Sequence, residues 1–263
     1  MRPDYMPPDA ITIRHPDAAS PYVIVCEHAS CFIPSEYDGL GLSPELVEGH
    51  IGWDIHAEDV ATQVASMLGA PLVTASVSRL VTDLNRPETC QDCIPGRSET
   101  ISVPGNHGLS PQEREDRLAK WHRPFHEGLS ALLDARSRHR LSSILVGIHS
   151  FTPIYDGVTR PWSAGVLYRA SQTYGEAVAQ AMSSLSGEMV GCNQPYDLWV
   201  HSNHTIPFHG DARGLPAIIV EIRNDLLATP AAVAHWANIT AQSLQTGRRC
   251  SLPCINNSQI RTA

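Results

Sequence analysis

The stretch VIVCEHAS, residues 23–30, ends a run of β-branched apolar residues with a carboxylate and an imidazole. Val23, Ile24 and Val25 favour a strand that is covered on both faces of a sheet. Glu27 and His28 follow at the point where this strand would end. Because ligands bind outside the carboxyl ends of parallel strands, the stretch predicts a core strand that delivers functional side chains to that edge.

Strand-like and helix-like runs alternate along the rest of the chain. The strand-like runs are YVIVCE, PLVTASV, SILVGIHSF, AGVLYR and AIIVEIR, and the helix-like runs are residues 58–68, 111–136, 172–184 and 231–246. This alternation predicts an α/β fold, a single domain with a mainly parallel mixed sheet flanked by helices. Residues 1–20 are rich in Pro and Asp and are predicted to form an N-terminal arm, with residues 21–263 as the domain.

Composition and charge exclude several classes of protein. Of the 263 residues, 42% are hydrophobic and 17% charged, which is typical of a globular protein. The formal net charge of −8 argues against a nucleic-acid partner. The sequence has no run of about eighteen apolar residues and no apolar N-terminal segment, so we expect neither a membrane partner nor secretion. It leaves the oligomeric state open.

The seven cysteines have no regular spacing, which favours reduced thiols and a cytoplasmic location. Cys90 and Cys93 form a CxxC, and Cys250 and Cys254 form a CxxxC. No His or Cys pair stands at zinc-ribbon spacing from either motif. A structural zinc held by these four residues is therefore not expected.

His28 and His149 are candidate metal ligands, because each ends or follows a predicted strand. Neutral imidazole suits zinc, and a catalytic zinc has three protein ligands. Asp54, where a loop enters a predicted helix, is the preferred third ligand, and Glu27 competes with it. The simpler interpretations are core-packed histidines and a carboxylate that stabilises a helix N-terminus. The pattern predicts one Zn²⁺, or another divalent metal, per chain.

Glu221 is a carboxylate inside the apolar run AIIVEIR, where burial is costly unless the group is paired. Arg223 lies two residues on, on the same face of the strand, so a structural ion pair is one interpretation. The other is a general base that takes a proton from an attacking water and passes it to a leaving amine.

The stretch VSRLVTDLNRP, residues 77–87, supplies a candidate anion-binding group. Arg79, Asn85 and Arg86 offer donors, and guanidinium groups match carboxylates in a bidentate way. One of the two arginines would instead stabilise an oxyanion, and we assign this catalytic role to Arg79. Three solvated surface side chains are the alternative.

Two further motifs are rich in histidine. WHRPFHEGL holds His122 and His126 on one helical face, but it lacks the Glu of an HExxH metal motif. HSNHTIPFHGD carries His209 in a predicted loop, and loops concentrate binding residues. We predict that His126 and His209 line the binding pocket, and a packed histidine is the alternative for His126.

The order of motifs resembles that of the N-formylglutamate amidohydrolase family. The matching segments are CEHAS, GWDIHA, SRLVTDLNRP, IPGRSETISVPGN, WHRPFH, GIHSFTP and HGDARGLPAIIVEIRND, from about residue 20 to about residue 245. The family is similar to zinc carboxypeptidases, which use an HxxE and a later His for zinc, an Asn-Arg pair for the substrate carboxylate, and a strand-borne Glu base followed by Arg. The resemblance implies these roles for His149, for Asn85 and Arg86, and for Glu221 and Arg223.

One position departs from this pattern. An HxxE that begins at His28 would need Glu at position 31, where Cys31 stands, so Asp54, Glu27 and Cys31 all remain candidates for the third ligand. The resemblance implies a zinc-carboxypeptidase/phosphorylase-hydrolase-like fold, with an amidohydrolase catalytic domain over residues 21–263.

The resemblance also implies a zinc-dependent hydrolase of linear amides. Its substrate would be N-formyl-L-glutamate or a related small N-acyl amino acid, and its products would be formate or another acid and the free amino acid. Two alternatives stay open: a non-catalytic binding protein for small carboxylates, and an amidohydrolase for a different acylated amino acid or peptide.

Overall fold

The computed structural model describes residues 9–200 and 202–251. The strands, in chain order, are β1 (Ile11–Arg14), β2 (Tyr22–Cys26), β3 (Leu72–Ala75), β4 (Arg97–Ser98), β5 (Ile101–Ser102), β6 (Ile144–Phe151), β7 (Ile154–Tyr155), β8 (Val158–Thr159), β9 (Ala164–Tyr168), β10 (Val190–Cys192) and β11 (Ala217–Arg223). The pairs β4 with β5 and β7 with β8 form small antiparallel hairpins. The other seven strands form one mixed sheet.

The strand order of the main sheet is β1-β3-β2-β6-β11-β9-β10. The four central strands β3, β2, β6 and β11 run parallel, whereas β1 and β9 are antiparallel to β3 and β11. The parallel register sets Glu221 of β11 opposite His149 of β6. The carboxyl ends of the central strands therefore meet at one edge of the sheet.

Six α-helices accompany the strands in the described part of the chain. They are α1 (Pro44–Val47), α2 (Ala57–Leu68), α3 (Pro111–Arg117), α4 (Arg123–Arg138), α5 (Gln172–Ser186) and α6 (Pro230–Ser251). Helices α2, α5 and α6 pack on one face of the sheet and α4 on the other. This arrangement confirms the predicted single α/β domain with a mainly parallel mixed sheet. None of these helices combines the length and apolarity needed to cross a membrane.

The central strands are buried on both faces, as their apolar runs predict. Ile24 and Val146 belong to the cluster under α2, α5 and α6, whereas their neighbours Val25 and Leu145 belong to the cluster under α4. This alternation follows from the period of two along a strand. Burial of apolar side chains contributes about 25 cal/mol per Å² removed from water, so these two layers hold the edge that carries the site.

The predicted helix over residues 111–136 contains a wider turn. Leu118–His122 forms a π-helical turn between α3 and α4, with Arg123 N donating to Leu118 O. Pro124 follows and has no N–H to donate to the preceding turn, which accounts for the local change in hydrogen bonding. The turn places Trp121 and His122 in the interior.

The predicted N-terminal arm contributes one strand to the sheet. Its residues 1–8 lie outside the described part, but β1 pairs antiparallel with β3. Ile11 and Ile13 pack against the core cluster under α4, while Thr12 and Arg14 alternate with them. Residues 11–14 therefore belong structurally to the domain, and the boundary at residue 20 stays a prediction.

Candidate active site

His28, Asp54 and His149 converge at the carboxyl edge of the central strands. His28 lies two residues beyond the end of β2, and His149 lies on β6. Asp54 precedes α2, and its backbone N–H donates to the carbonyl of His28 at 3.1 Å. This bond ties the loop before α2 to the end of β2, which is why residues far apart in sequence meet here.

The contacts among these three residues are short. Asp54 Oδ2 lies 2.7 Å from His149 Nδ1 and 3.3 Å from His28 Nδ1. One ligand atom from each residue lies within 4.8 Å of the other two. All three side chains are buried. Two imidazoles and a carboxylate at this separation form the donor set of a three-ligand zinc centre.

A second layer of polar groups orients these donors. His28 Nε2 lies 2.8 Å from Asp83 Oδ1, and His149 Nε2 lies 3.1 Å from Glu27 Oε2. Each imidazole therefore directs Nδ1 towards Asp54 and Nε2 towards a different carboxylate. Metal-binding histidines in proteins are held by this kind of carboxylate contact on the second nitrogen.

The charges around the group also fit a divalent cation. Glu27, Asp54 and Asp83 are buried carboxylates. Arg79 is the guanidinium that faces them, with Nη1 at 3.1 Å from Asp54 Oδ1 and Nη2 at 2.8 Å from Asp83 Oδ2. With neutral imidazoles, Arg79 offsets one of three negative charges and leaves two. This excess of negative charge favours a bound cation.

The pKa shifts point to the same negative field. Burial by itself lowers the pKa of His149, but Glu27 and Asp54 outweigh burial and raise this pKa well above its usual value. Burial by itself raises the pKa of Asp54, but His28 and His149 hold this pKa below its usual range. The same negative field would favour a metal cation in place of the proton.

Glu221 faces the same region from β11. Its side chain is buried and lines the cavity at this edge of the sheet. Burial, together with the nearby Asp54 carboxylate, raises the pKa of Glu221 to about 7. A carboxylate with a pKa near neutrality is suited both to accept and to return a proton. The position of Glu221 therefore agrees with the predicted general base.

Arg223 does not lie where the substrate-binding prediction needs it. Its guanidinium Nε donates to Asp225 Oδ1 at 2.8 Å, and Nη1 approaches the carbonyl of Trp162 at 3.4 Å. It is not among the described residues that line the cavity, and no ion pair links it to Glu221. The strand ends at Arg223, where its side chain turns towards the following 3₁₀ turn. These contacts support neither a substrate-binding role for Arg223 nor a structural ion pair between Arg223 and Glu221.

Asn85 and Arg86 line the cavity together with Arg79. The Asn85 Oδ1 atom accepts from Asn203 Nδ2 at 3.0 Å and from Thr205 N at 3.2 Å. These bonds fix the orientation of the amide and leave its Nδ2 group for another acceptor. Arg86 Nη1 donates to the carbonyl of Ser202. The predicted anion-binding group is therefore brought to one wall of the cavity.

The cavity has a volume of about 240 Å³. Its floor is formed by the His28–Asp54–His149 group and Glu221, and its walls carry more polar than apolar side chains. Tyr196 lines one wall, and burial raises the pKa of its hydroxyl to about 12, so it stays protonated at neutral pH. Tyr196 could not be predicted from the sequence, because a single tyrosine in a loop gives no pattern.

His126 and His209 lie behind the cavity wall, so the prediction that they line the pocket is wrong. His126 Nδ1 lies 2.9 Å from His209 Nε2, and both residues are buried. Neither is among the described lining residues. The sequence shows that His126 shares a helical face with His122, but it does not show which side of the cavity wall this face meets.

Comparison with known proteins places the chain in a family. Residues 20–228 match the family model described as N-formylglutamate amidohydrolase. The chain belongs to the N-formylglutamate amidohydrolase family. The resemblance carried by the sequence motifs is thereby confirmed, and membership of this family supports an amidohydrolase activity. A search among curated proteins finds no match.

Two solved structures are similar to this chain. A gene product of Agrobacterium tumefaciens has 33% sequence identity and a TM-score of 0.89, with 92% of this chain and 96% of that chain covered. An N-formylglutamate amidohydrolase from Ralstonia eutropha JMP134 has 19% identity and a TM-score of 0.69, with 92% and 98% covered. The second similarity concerns the fold.

Proposed function

We propose that this chain is a metal-dependent amidohydrolase that cleaves N-formyl-L-glutamate or a related N-acyl amino acid. The products would be formate, or another acid, and the free amino acid. The observation that carries the proposal is that His28, Asp54 and His149 form a buried cluster, and that Glu221 lines the same cavity. Family membership supports the same class of reaction.

The metal would be held by His28 Nδ1, His149 Nδ1 and an Asp54 carboxylate oxygen, with zinc preferred for this donor set. When bound, such an ion supplies Lewis acidity and lowers the pKa of water. Asp83 and Glu27 keep the two imidazoles oriented through their Nε2 atoms. Among the candidates for the third ligand, Asp54 is favoured because its Oδ2 atom contacts both imidazoles.

Glu221 would act as general base and then as general acid. Its carboxylate removes a proton from the attacking water and returns it to the amine nitrogen as the C–N bond breaks. A pKa of about 7, raised by burial, makes both transfers feasible near neutral pH. Buried surroundings also strengthen the electrostatic interactions that the transition state needs.

Arg79, Asn85 and Arg86 would bind the negative charges of the reaction. Arg79 is held beside Asp54 and Asp83, so its remaining N–H groups would stabilise the developing oxyanion. Arg86 and the amide of Asn85 would bind a carboxylate of the amino acid on the cavity wall.

The cysteines support the proposed cytoplasmic location. The six described cysteines are free thiols, as expected in a reducing cytoplasm, and Cys254 lies outside the described residues.

A panel of N-acyl amino acids tests this function. The purified protein would be assayed with N-formyl-L-glutamate, N-formyl-L-aspartate, N-acetyl-L-glutamate and a dipeptide, with the released acid and the new amine both measured. We expect chelator-sensitive cleavage of at least one member, with N-formyl-L-glutamate first. Tight binding of small acids without any cleavage after zinc is added would favour the non-catalytic binding protein. Preference for another member would keep the chemistry and change the substrate.

A further inference from the structure

Four histidines form a compact group on the far side of the cavity wall. The histidine cluster consists of His122, His126, His204 and His209. The His126 ring centroid lies 4.5 Å from that of His122, 4.4 Å from that of His204 and 5.2 Å from that of His209. None of the four is among the described residues that line the cavity. The catalytic scheme above uses none of them.

The histidine cluster binds three consecutive carbonyl groups of the wall. His126 Nε2 lies 2.8 Å from Leu84 O, and His122 Nε2 lies 2.8 Å from Arg86 O. Between them, the backbone N–H of His204 donates to Asn85 O at 3.1 Å. Every peptide carbonyl from Leu84 to Arg86 thus accepts a bond from this cluster. The segment between these bonds carries the two side chains proposed to bind the substrate carboxylate.

These carbonyl contacts fix the tautomers of the rings. A carbonyl oxygen only accepts, so Nε2 of His126 carries the proton and Nδ1 is an acceptor. His209 Nε2 then donates to His126 Nδ1 at 2.9 Å, and His209 Nδ1 accepts from Ser130 Oγ at 3.5 Å. A directed chain of hydrogen bonds therefore runs from Ser130 to Leu84 O. Protonation of His126 Nδ1 would remove the acceptor on which this direction depends.

The electrostatic surroundings keep these rings neutral. Burial lowers the pKa of His126 well below its usual value, and the neighbouring His122 and His204 lower it further. Burial also lowers the pKa of His209 to about 3, although Asp134 lies close enough to oppose this shift. A neutral His126, with Nε2 as donor and Nδ1 as acceptor, is what this direction of the chain requires.

Other contacts hold the same segment from within. Asn85 N donates to Asp83 Oδ1 at 3.0 Å, and Arg86 N donates to Asp83 O at 3.1 Å. Asp83 is also the carboxylate on His28 Nε2. The segment of residues 84–86 is therefore tied through Asp83 to the candidate metal ligand His28, and through its carbonyl groups to the histidine cluster. A misplacement of about 1 Å at such a wall costs up to about 100-fold in kcat/KM.

We propose that the histidine cluster is a positioning device for carboxylate recognition, acting through the carbonyls of Leu84, Asn85 and Arg86. This inference rests on the proposed function for the meaning of Asn85 and Arg86. The cluster sets how these two side chains meet the substrate and has no part in the bond-breaking step. Its loss weakens binding of the carboxylate and leaves the metal and Glu221 unchanged.

Replacement of a ring that donates to the wall tests the proposal. His126→Phe keeps a ring of similar size and removes both nitrogens, whereas His126→Gln keeps an amide donor. His139→Phe is the matched control, because His139 is exposed at the end of the same helix. The measurements are kcat and KM for the cleaved substrate, the Kd of L-glutamate by calorimetry, and the metal content.

We expect His126→Phe to raise KM and the Kd of L-glutamate about ten-fold or more, with kcat within about three-fold and the metal content unchanged. His126→Gln should lie closer to the unaltered protein. Unchanged KM and Kd in a folded His126→Phe variant would overturn the proposal. So would a loss of kcat and metal at unchanged KM, which would assign the cluster to the metal group.

A second variant and an NMR measurement keep the proposal testable if His126→Phe does not fold. If His126→Phe does not fold, His122→Phe takes its place, and the same changes in KM and Kd are expected. This variant removes the donor to Arg86 O and the Nδ1 contact with Glu88 at 3.5 Å. Nitrogen NMR of the unaltered protein should show protonated Nε2 and bare Nδ1 on His122 and His126, and the opposite tautomer would overturn the proposal. If the unaltered protein cleaves no substrate, the proposed function fails, while the Kd comparison still tests the histidine cluster.

Discussion

Glu221 lies directly opposite His149 across the parallel pairing of β11 with β6. Residues paired in this way direct their side chains to the same face of the sheet. His149 approaches Asp54 at 2.7 Å, and Glu221 lines the cavity beside that contact. The register of two neighbouring strands thus brings Glu221 and the candidate metal ligand His149 to one place.

Replacement of Glu221 with Gln should abolish turnover without loss of the fold. An amide of the same size cannot accept the proton, so kcat should fall about 10³-fold, within the range for a lost general base. Metal content and thermal melting should stay unchanged. Glu127→Gln, an exposed position on α4, is the control and should retain full activity. A Glu221→Gln variant with more than about a tenth of the original kcat would rule Glu221 out as the base.

The identity of the third metal ligand can be tested with two variants. Asp54→Asn removes the carboxylate that contacts both imidazoles, so metal affinity should fall more than about 100-fold. Cys31→Ser should bind metal normally, because Cys31 is not part of the group formed by His28, Asp54 and His149. Competition with a chromophoric chelator measures both affinities. The reverse order would transfer the ligand role to Cys31.

Asp83 should tune the site without being essential to it. Its carboxylate holds His28 Nε2 at 2.8 Å and pairs with Arg79. Asp83→Asn keeps the shape and removes the charge, so metal affinity should fall about 10- to 100-fold, less than for Asp54→Asn. The same chelator competition measures this. Equal losses in the two variants would mean that Asp83 is itself a ligand.

Acid should destabilise the protein partly through His209. Burial, together with His204 and Arg213, lowers the pKa of His209 in the folded state to about 3, although Glu27 and Asp134 act to raise it. In the unfolded state the pKa of this histidine is about 6.5. A depressed histidine pKa means that the unfolded state binds the proton first. The contribution to stability is therefore complete above about pH 6.5 and is lost as the pH falls towards about 3, by about 1.4 kcal/mol per pH unit.

Urea denaturation between pH 7 and pH 4 measures this dependence. In His209→Gln the free energy of unfolding should fall less steeply with acid than in the unaltered protein, by about 1.4 kcal/mol per pH unit below pH 6. His139→Gln, at an exposed position, should follow the unaltered slope. Parallel slopes for all three proteins would show that His209 titrates normally in the folded state.

The fold was predictable where the apolar runs are long. β2, β6 and β11 are marked by five or more consecutive buried residues, and the helices between the strands predict a mainly parallel sheet. The short strands β1 and β10 were missed. β1 alternates over only four residues in a Pro- and Asp-rich context, and β10 has three residues with a central glycine, so neither has a pattern long enough to detect.

The candidate site was most directly predictable where strand ends carry it. His28, His149 and Glu221 follow from the rule that parallel strands deliver ligands at their carboxyl ends. His126 and Arg223 did not follow. His126 lies on a helix whose buried face meets the back of the wall, and Arg223 turns away to pair with Asp225. The positions of both side chains depend on how the helices and strands pack together, and the spacing of residues in the sequence does not reveal this packing.

The most direct test of the central claim joins metal content to activity. Purified protein would be analysed for metal by elemental analysis and assayed with N-formyl-L-glutamate before chelation, after chelation and after zinc is restored. The account predicts about one zinc per chain. It also predicts release of formate and glutamate that is lost with the chelator and regained with zinc. A protein that binds no divalent metal and cleaves no member of the substrate panel, even with metal added, would contradict it.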